Sequence, residues 1–239
     1  MQIAIKNYIP NTLTLINLFS GCVAVVFAFM GRLDLIIYLS IISLFADFTD
    51  GLVARLLNVK SEIGADLDSL ADMVSFGFVP GLILFLLIDG KMGNKMMDLN
   101  EVNITALFGF TVTIFSALRL AIFNNDENQS SDFVGLATPA STVFVIGLLY
   151  IDKLNITELR PLNIALISII VSLLLVSKIK MFSFKVTSYS FKDAYWQYSF
   201  IALSIICLFW FKIAGFSLIV ILYVLLNILK NILEKKNII

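Results

Sequence analysis

The sequence contains no histidine, only two cysteines, and few charges for its length. Each scarcity closes off a class of function. Without histidine there is no Ser-His or Cys-His triad and no imidazole-ligated metal. Any proton transfer falls to carboxylate, lysine, tyrosine or water. The two cysteines, Cys22 and Cys207, lie in separate apolar runs, so they read as small packing hydrophobes and imply no disulfide framework. Charged residues make up 14% of the chain, against about 25% in a soluble domain. Lys+Arg and Asp+Glu balance at 17 each, which leaves no broad basic face for nucleic acid. The N-terminus lacks a short apolar segment followed by a small-residue cleavage site, so the first apolar run is expected to stay as a membrane anchor.

What the chain has instead is grease: 59% of its 239 residues are hydrophobic, and its mean hydropathy is +0.96. The apolar residues come in runs of roughly 20, the length that crosses a bilayer core. They predict an all-α, polytopic membrane protein of about eight transmembrane helices, at 12–30, 35–57, 65–88, 104–123, 135–151, 161–176, 195–211 and 215–229. Pro10-Asn11 closes a short leading segment, and Pro161 stands where a helix can begin because its missing N–H would be unpaired there anyway. Residues 178–192 form a basic, aromatic-rich loop that is either a solvated inside loop or an attractor of anionic headgroups. An even number of spans puts both termini on one side. With the termini inside, eleven Lys/Arg fall inside and six outside, so the positive-inside bias favours both termini in the cytoplasm and a location in the cytoplasmic membrane.

The charge that is present concentrates between the second and third spans, in DFTDGLVARLLNVKSEIGADLDSLAD, residues 47–72. On a helix, Asp47, Asp50, Gly51, Ala54 and Arg55 share one stripe. Gly64, Asp68, Asp72 and Ser75 or Phe76 share another on the following helix; Asp66 falls two residues off it and is left out. Facing one another, the two stripes gather four carboxylates at the inner interface. Like charges so close in a poor dielectric need a counter-charge. Carboxylate-only ligation suits hard divalent ions such as Mg²⁺ or Mn²⁺, and two such ions roughly 3.5–4 Å apart form a clamp for phosphoryl chemistry. Gly51, Ala54 and Gly64 either leave room for a bulky ligand or let backbones approach. Arg55 is placed to meet a phosphate with its planar fork. A proton or cation pathway, as in transporters, is the competing reading of intramembrane acids. Related repeat halves would support it, but no second copy of the acidic pattern exists.

Written as D-x2-D-G-x2-A-R-x8-G-x3-D-x3-D, the stretch is identified with the signature of the CDP-alcohol phosphotransferase family. Four further runs, PNTLTLINLFSG at 10–21, LDSLADMVSFGFVP at 67–80, ALRLAIFN at 117–124 and FVGLATPA at 133–140, resemble its serine-using, integral-membrane branch. Ile122 departs from that branch, which often has arginine in an R-L-A-R-F run. The resemblance covers roughly residues 1–180, expected as a six-helix catalytic membrane core, with 181–239 adding the basic loop and two C-terminal helices.

The resemblance implies transfer of a phosphatidyl group from CDP-diacylglycerol to the hydroxyl of L-serine with release of CMP. Sister enzymes use other alcohols, such as glycerol phosphate or inositol phosphate. In the family's terms Asp47, Asp50 and Asp68 hold divalent metals, and Asp72 is the general base, also touching a metal. Gly51, Ala54 and Arg55 face the CDP group, with Gly64 on the same side. Arg119 is the candidate partner for the serine carboxylate or, alternatively, a positive-inside anchor. Ser75, Asn17 and Asn124 either line the serine pocket or make interhelical hydrogen bonds. The resemblance also implies a homodimer.

Overall fold

In hydrocarbon every backbone N–H and C=O must be satisfied within the chain, so apolar runs of this length are confined to helix. The computed structural model describes residues 2–59, 63–90, 103–125, 133–182 and 195–236. Among the described residues, continuous helical rods form α1 (Gln2–Phe29), α2 (Leu33–Leu57), α3 (Gly64–Asp89), α4 (Ile104–Asn124), α5 (Thr138–Lys153), α6 (Pro161–Leu175), α7 (Tyr195–Phe211) and α8 (Gly215–Lys236). A two-residue antiparallel pair, β1 (Phe133–Val134) with β2 (Lys180–Met181), is the one exception to the all-α architecture among these residues. Among the described residues, five stretches are long and apolar enough to cross a membrane: Tyr8–Phe29, Leu33–Leu57, Gly64–Asp89, Ile104–Asn124 and Tyr195–Lys235, the last holding both α7 and α8. Helices α5 and α6, with 16 and 15 residues, fall short of the roughly 20 needed to span a bilayer core unaided. Residues 183–192 of the expected basic loop, and Lys60 in the turn between α2 and α3, lie outside the described residues.

Helix α3 is the axis of the bundle. Its span is 83% buried against 22–33% for the other four candidate spans, and every residue from 79 to 88 is buried. Helix α4 starts as a 3₁₀ turn, Ile104–Phe110, capped by the Asn103 side chain, which accepts the Thr105 N–H at 3.0 Å. Its Gly109 lies so close to α3 that an added Cβ would strike the Phe85 backbone. Helix α1 differs from the expectation of a span opening after Pro10: it runs unbroken from Gln2 through Pro10. Threonine hydroxyls tie the backbone around the proline, Thr12 donating to the Tyr8 carbonyl at 2.8 Å and Thr14 to that of Pro10 at 3.1 Å. Its buried face reads Pro10, Thr14, Asn17, Ser20, Ala24, Ala28, a stripe of mostly small residues. That face meets Ser40, Ser43, Ala46 and Asp50 of α2, since small side chains are what lets membrane helices close up.

Within α3, residues Met73–Phe78 form a π-helical segment directly after Asp72. A π turn leaves carbonyls without their usual i+4 donors, and neighbouring threonines supply them. Thr142 of α5 donates to the Phe76 carbonyl at 3.3 Å, and Thr113 of α4 donates to the Gly77 carbonyl at 3.0 Å. The FVGLATPA run is explained by a loop docked on the end of α6. Gly135 has φ +76°, and its N–H donates to the Ile179 carbonyl at 2.9 Å, while that of Leu136 reaches the Leu174 carbonyl at 2.9 Å. On the other side of this strap, α8 presents Tyr223, Asn227 and Asn231 at successive turns. The Phe182 N–H donates to Asn227 Oδ1 at 2.7 Å, Tyr223 Oη donates to the Phe182 carbonyl at 2.9 Å, and Asn231 Nδ2 donates to the Lys180 carbonyl at 2.9 Å.

Candidate active site at the acidic helix pair

Helix α2 ends because Asn58 takes the left-handed conformation, φ 49°, with its N–H returned to the Ala54 and Arg55 carbonyls. Asparagine tolerates that conformation better than most residues. The chain then reverses and starts α3 at Gly64, which brings the two acidic stripes to one depth. Carboxylate oxygens of Asp47, Asp50 and Asp68 all lie within 4.8 Å of one another. Asp72, one turn further along α3, is 8% exposed and close enough to Asp47 for the two carboxyls to interact. Asp66 is exposed and outside the cluster.

The donor set fits a hard divalent cation. It is all carboxylate, and Asp68 Oδ1 is buried without a hydrogen-bond partner. Three acids this close keep their charge in a poor dielectric only with a counter-charge, and otherwise take up protons.

Next to the cluster lies a cavity of about 230 Å³ lined by Pro10, Asn11, Thr14, Asp50, Gly51, Ala54, Val59, Gly64, Ala65 and Asp68. Three of the small residues picked out by spacing, Gly51, Ala54 and Gly64, are therefore on its wall. A Cβ placed on Gly51 would meet nothing within 4 Å, so this glycine faces open space and is not a packing glycine. Arg55 is exposed on the last turn of α2 and is not among the lining residues.

The contribution of α1 was only partly visible in the sequence. Thr14 donates to Asp50 Oδ2 at 2.5 Å, which holds that carboxylate toward the cluster. Asn17 is fully buried and its Nδ2 donates to Asp72 Oδ1 at 3.2 Å. Its backbone carbonyl is gripped from both neighbours, by Ser43 Oγ of α2 at 3.2 Å and Ser75 Oγ of α3 at 3.0 Å. Ser75 thus anchors α1 to the π segment. Thr14, Pro10 and Asn11 were not singled out, although Pro10, Thr14 and Asn17 recur on one helical face within a motif already noticed.

Arg119 of α4 is half-buried and within electrostatic range of Asp72. Its Nε is buried without a hydrogen-bond partner. Asn17 Oδ1 is likewise buried and unpartnered. Around Asp72 there is thus one unused cationic donor and one unused neutral acceptor. Asn124 sits at the exposed end of α4 and donates to Ser69 Oγ at 2.8 Å. Ile122, two residues before it, is 56% exposed, so the position where arginine is frequent carries only an outward-facing hydrophobe here.

Comparison with known proteins gives a consistent picture. A family model described as CDP-alcohol phosphatidyltransferase matches residues 7–177. A Helicobacter pylori (strain J99) protein named CDP-diacylglycerol–serine O-phosphatidyltransferase is 33% identical over 187 residues, covering 77% of this chain and 75% of its own. A Bacillus subtilis protein of the same name is 30% identical over 179 residues, covering 75% of this chain and 92% of its own. One from Methanocaldococcus jannaschii is 30% identical over 172 residues, with 72% of each chain covered.

Proposed function

The chain belongs to the CDP-alcohol phosphatidyltransferase family, and on that footing we propose that it is a phosphatidylserine synthase, moving a phosphatidyl group from CDP-diacylglycerol to the hydroxyl of L-serine with release of CMP. The observation that carries the proposal is the meeting of Asp47, Asp50 and Asp68 beside a cavity walled by Gly51, Ala54 and Gly64, with Asp72 adjoining. The serine acceptor is supported by the names of the relatives. It is supported also by the two unpartnered atoms near Asp72, since a zwitterion brings a carboxylate for Arg119 and an ammonium for Asn17 Oδ1.

Asp47, Asp50, Asp68 and Asp72 would hold divalent cations, Mg²⁺ or Mn²⁺ and two by our reading. When bound, these supply the positive charge that the pyrophosphate and the carboxylates both need. The side chains do the rest. Gly51, Ala54 and Gly64 leave space for the CDP group, and Arg55, at the exposed rim, meets its phosphates from the aqueous side. Asp72 accepts the proton of the serine hydroxyl as that oxygen attacks the lipid-side phosphorus and the bond to the CMP oxygen breaks. Asn17 Nδ2 on Asp72 Oδ1 fixes the orientation of the carboxylate that takes that proton. Ser75 and Asn124 position neighbouring helices rather than substrate, which fits their observed bonds.

The site faces the cytoplasm in this reading, with both termini inside. Support comes from the lysine and arginine bias and from the chemistry, because serine and CMP are aqueous while the lipid donor is in the bilayer. Residues 1–180 act as the catalytic core and 181–239 as an addition to it. The protein works as a homodimer, which chemical cross-linking in native membranes tests. The decisive assay of the activity is CMP release from CDP-diacylglycerol across a panel of alcohols with Mg²⁺ or Mn²⁺. Release that requires serine is expected; release with glycerol 3-phosphate or inositol phosphate, and none with serine, replaces the proposal with a sister activity.

A further inference from the structure

The region matched by the family model stops at residue 177, yet α8, beyond it, holds α5 at two places. Near the start of α8, Ser217 is 3% exposed and its Oγ donates to the Phe144 carbonyl at 2.8 Å. A Cβ added to Gly147, one turn further along α5, would strike the Ser217 backbone nitrogen, so the two helices touch backbone to backbone. About three turns on along α8, Asn227 is fully buried; its Oδ1 accepts the Phe182 N–H at 2.7 Å and its Nδ2 donates to the Tyr223 carbonyl at 2.7 Å. A buried amide in an apolar helix is costly unless its polar groups are bonded, and here its acceptor is spent on the strap. Phe182 follows β2, whose Met181 pairs with Phe133 of β1. Gly135 and Leu136, just after β1, are bonded to the Ile179 and Leu174 carbonyls and lead into α5 at Thr138. Helix α8 therefore fixes α5 both at its start and at mid-length. Helix α5 passes this hold to the site: Thr142 Oγ1 donates to the Phe76 carbonyl at 3.3 Å, inside the π segment that begins directly after Asp72. A π turn has lost its regular i+4 bonds, so the groups that donate to its carbonyls help decide how it is wound, and the winding sets the rotation of the residues before it.

We infer that α8 is a working part of the catalytic core: through Ser217, Asn227 and α5 it positions the π segment, and with it Asp72. The inference rests on the base role given to Asp72 above. The acidic cluster and the cavity beside it are built from α1, α2, Val59 and the start of α3. The brace therefore acts on the alignment of the base, and leaves the nucleotide space and the metal ligands alone.

The test is turnover of purified full-length protein at a temperature where the melting curve of each variant shows it folded. Asn227→Leu keeps most of the side-chain volume and removes the acceptor for the Phe182 N–H. Misplacing a reacting group can cost about 100-fold in rate, so the rate at saturating substrates is expected to fall roughly tenfold or more, with KM for CDP-diacylglycerol unchanged. Leu225→Ala, at a residue of α8 that is 55% exposed, should alter neither. Thr142→Val removes the bond from α5 to the π segment and should lower the same rate. Combined with Asn227→Leu it should add little, because residues acting through one another are not additive. Ser217→Ala, which loses one hydroxyl, takes the place of Asn227→Leu in that cycle if the latter does not fold. A folded Asn227→Leu protein with a lower melting temperature but wild-type turnover makes the contact one of packing only. A loss that multiplies in full with that of Thr142→Val shows that α8 does not act through α5. Either result overturns this inference alone. Wild-type protein that releases no CMP, or Asp72→Asn protein that turns over normally, removes the activity or the base role on which it rests.

Discussion

Gly51→Leu separates two roles that a helical glycine can have. A glycine in a membrane helix is most often there for packing, and replacing it should then cost stability. Gly51 is different: nothing lies within 4 Å of the position its Cβ would take, and it lines the cavity of about 230 Å³ beside Asp50 and Asp68. The leucine Cβ should therefore meet no neighbour, and the helix should improve by about 0.8 kcal/mol, the propensity difference from glycine. For a chain of this size that corresponds to a rise in melting temperature of about 2–3 °C. The same four carbons fill the space we propose for the CDP group. Forcing a ligand against misplaced methylenes costs about 1–3 kcal/mol, so KM for CDP-diacylglycerol should rise roughly 5- to 150-fold. The assay pairs thermal melting in detergent with CMP release at varied CDP-diacylglycerol. A variant that melts lower than wild type would make Gly51 a packing residue after all. A variant with unchanged KM would place the nucleotide elsewhere.

Three further outcomes follow from the geometry. Two unit charges 4.8 Å apart, the outer limit for Asp47, Asp50 and Asp68, repel by about 3.5 kcal/mol at an effective dielectric near 20. Three such pairs rival a whole domain's stability of about 5–15 kcal/mol. Mg²⁺ or Mn²⁺ should therefore raise the melting temperature of the wild type and do so less for Asp68→Asn; a melting curve indifferent to divalent ions would refute the metal assignment. Asp72→Asn preserves the contact with Asn17 but cannot take the serine proton, so turnover should fall about 10²- to 10⁴-fold with the protein still folded, and turnover within threefold of wild type would remove the base role. Gly109→Ala puts a Cβ onto the Phe85 backbone, which cannot swing aside as a side chain would. It should destabilise the α3–α4 contact by about 1–3 kcal/mol, read as a lower melting temperature with no selective change in either substrate's KM.

Much of the site was legible in one dimension because it is written on two helices adjacent in sequence. Asp47, Asp50, Asp68 and Asp72 lie on stripes set by the 3.6-residue period, and a short turn leaves few ways to bring them together. The same periodicity put Gly51, Ala54 and Gly64 on the cavity wall, but it could not distinguish the open space at Gly51 from the backbone contact at Gly109. Both are glycines on helices, and only the neighbouring chain decides between them. Arg55 shows the limit of a stripe argument: it shares the face of Asp47 and Asp50, yet as the last turn of α2 leaves the bundle it comes to stand exposed.

By itself the sequence determined that this is an all-α membrane protein, and it singled out residues 47–72 as the stretch where we propose the chemistry sits. Composition and local period suffice for each of these, since a bilayer admits few backbone solutions and uncompensated acids in grease are too costly to be incidental. Tertiary structure alone decided which distant residues serve those acids. Thr14 on Asp50, Asn17 on Asp72 and the threonines that satisfy the π segment are pairings across 36, 55, and 36 and 66 positions of sequence. No periodicity within a helix encodes them, because they depend on how helices rotate and slide against one another. That rotation is set by the summed packing of small residues along every interface, not by any one motif.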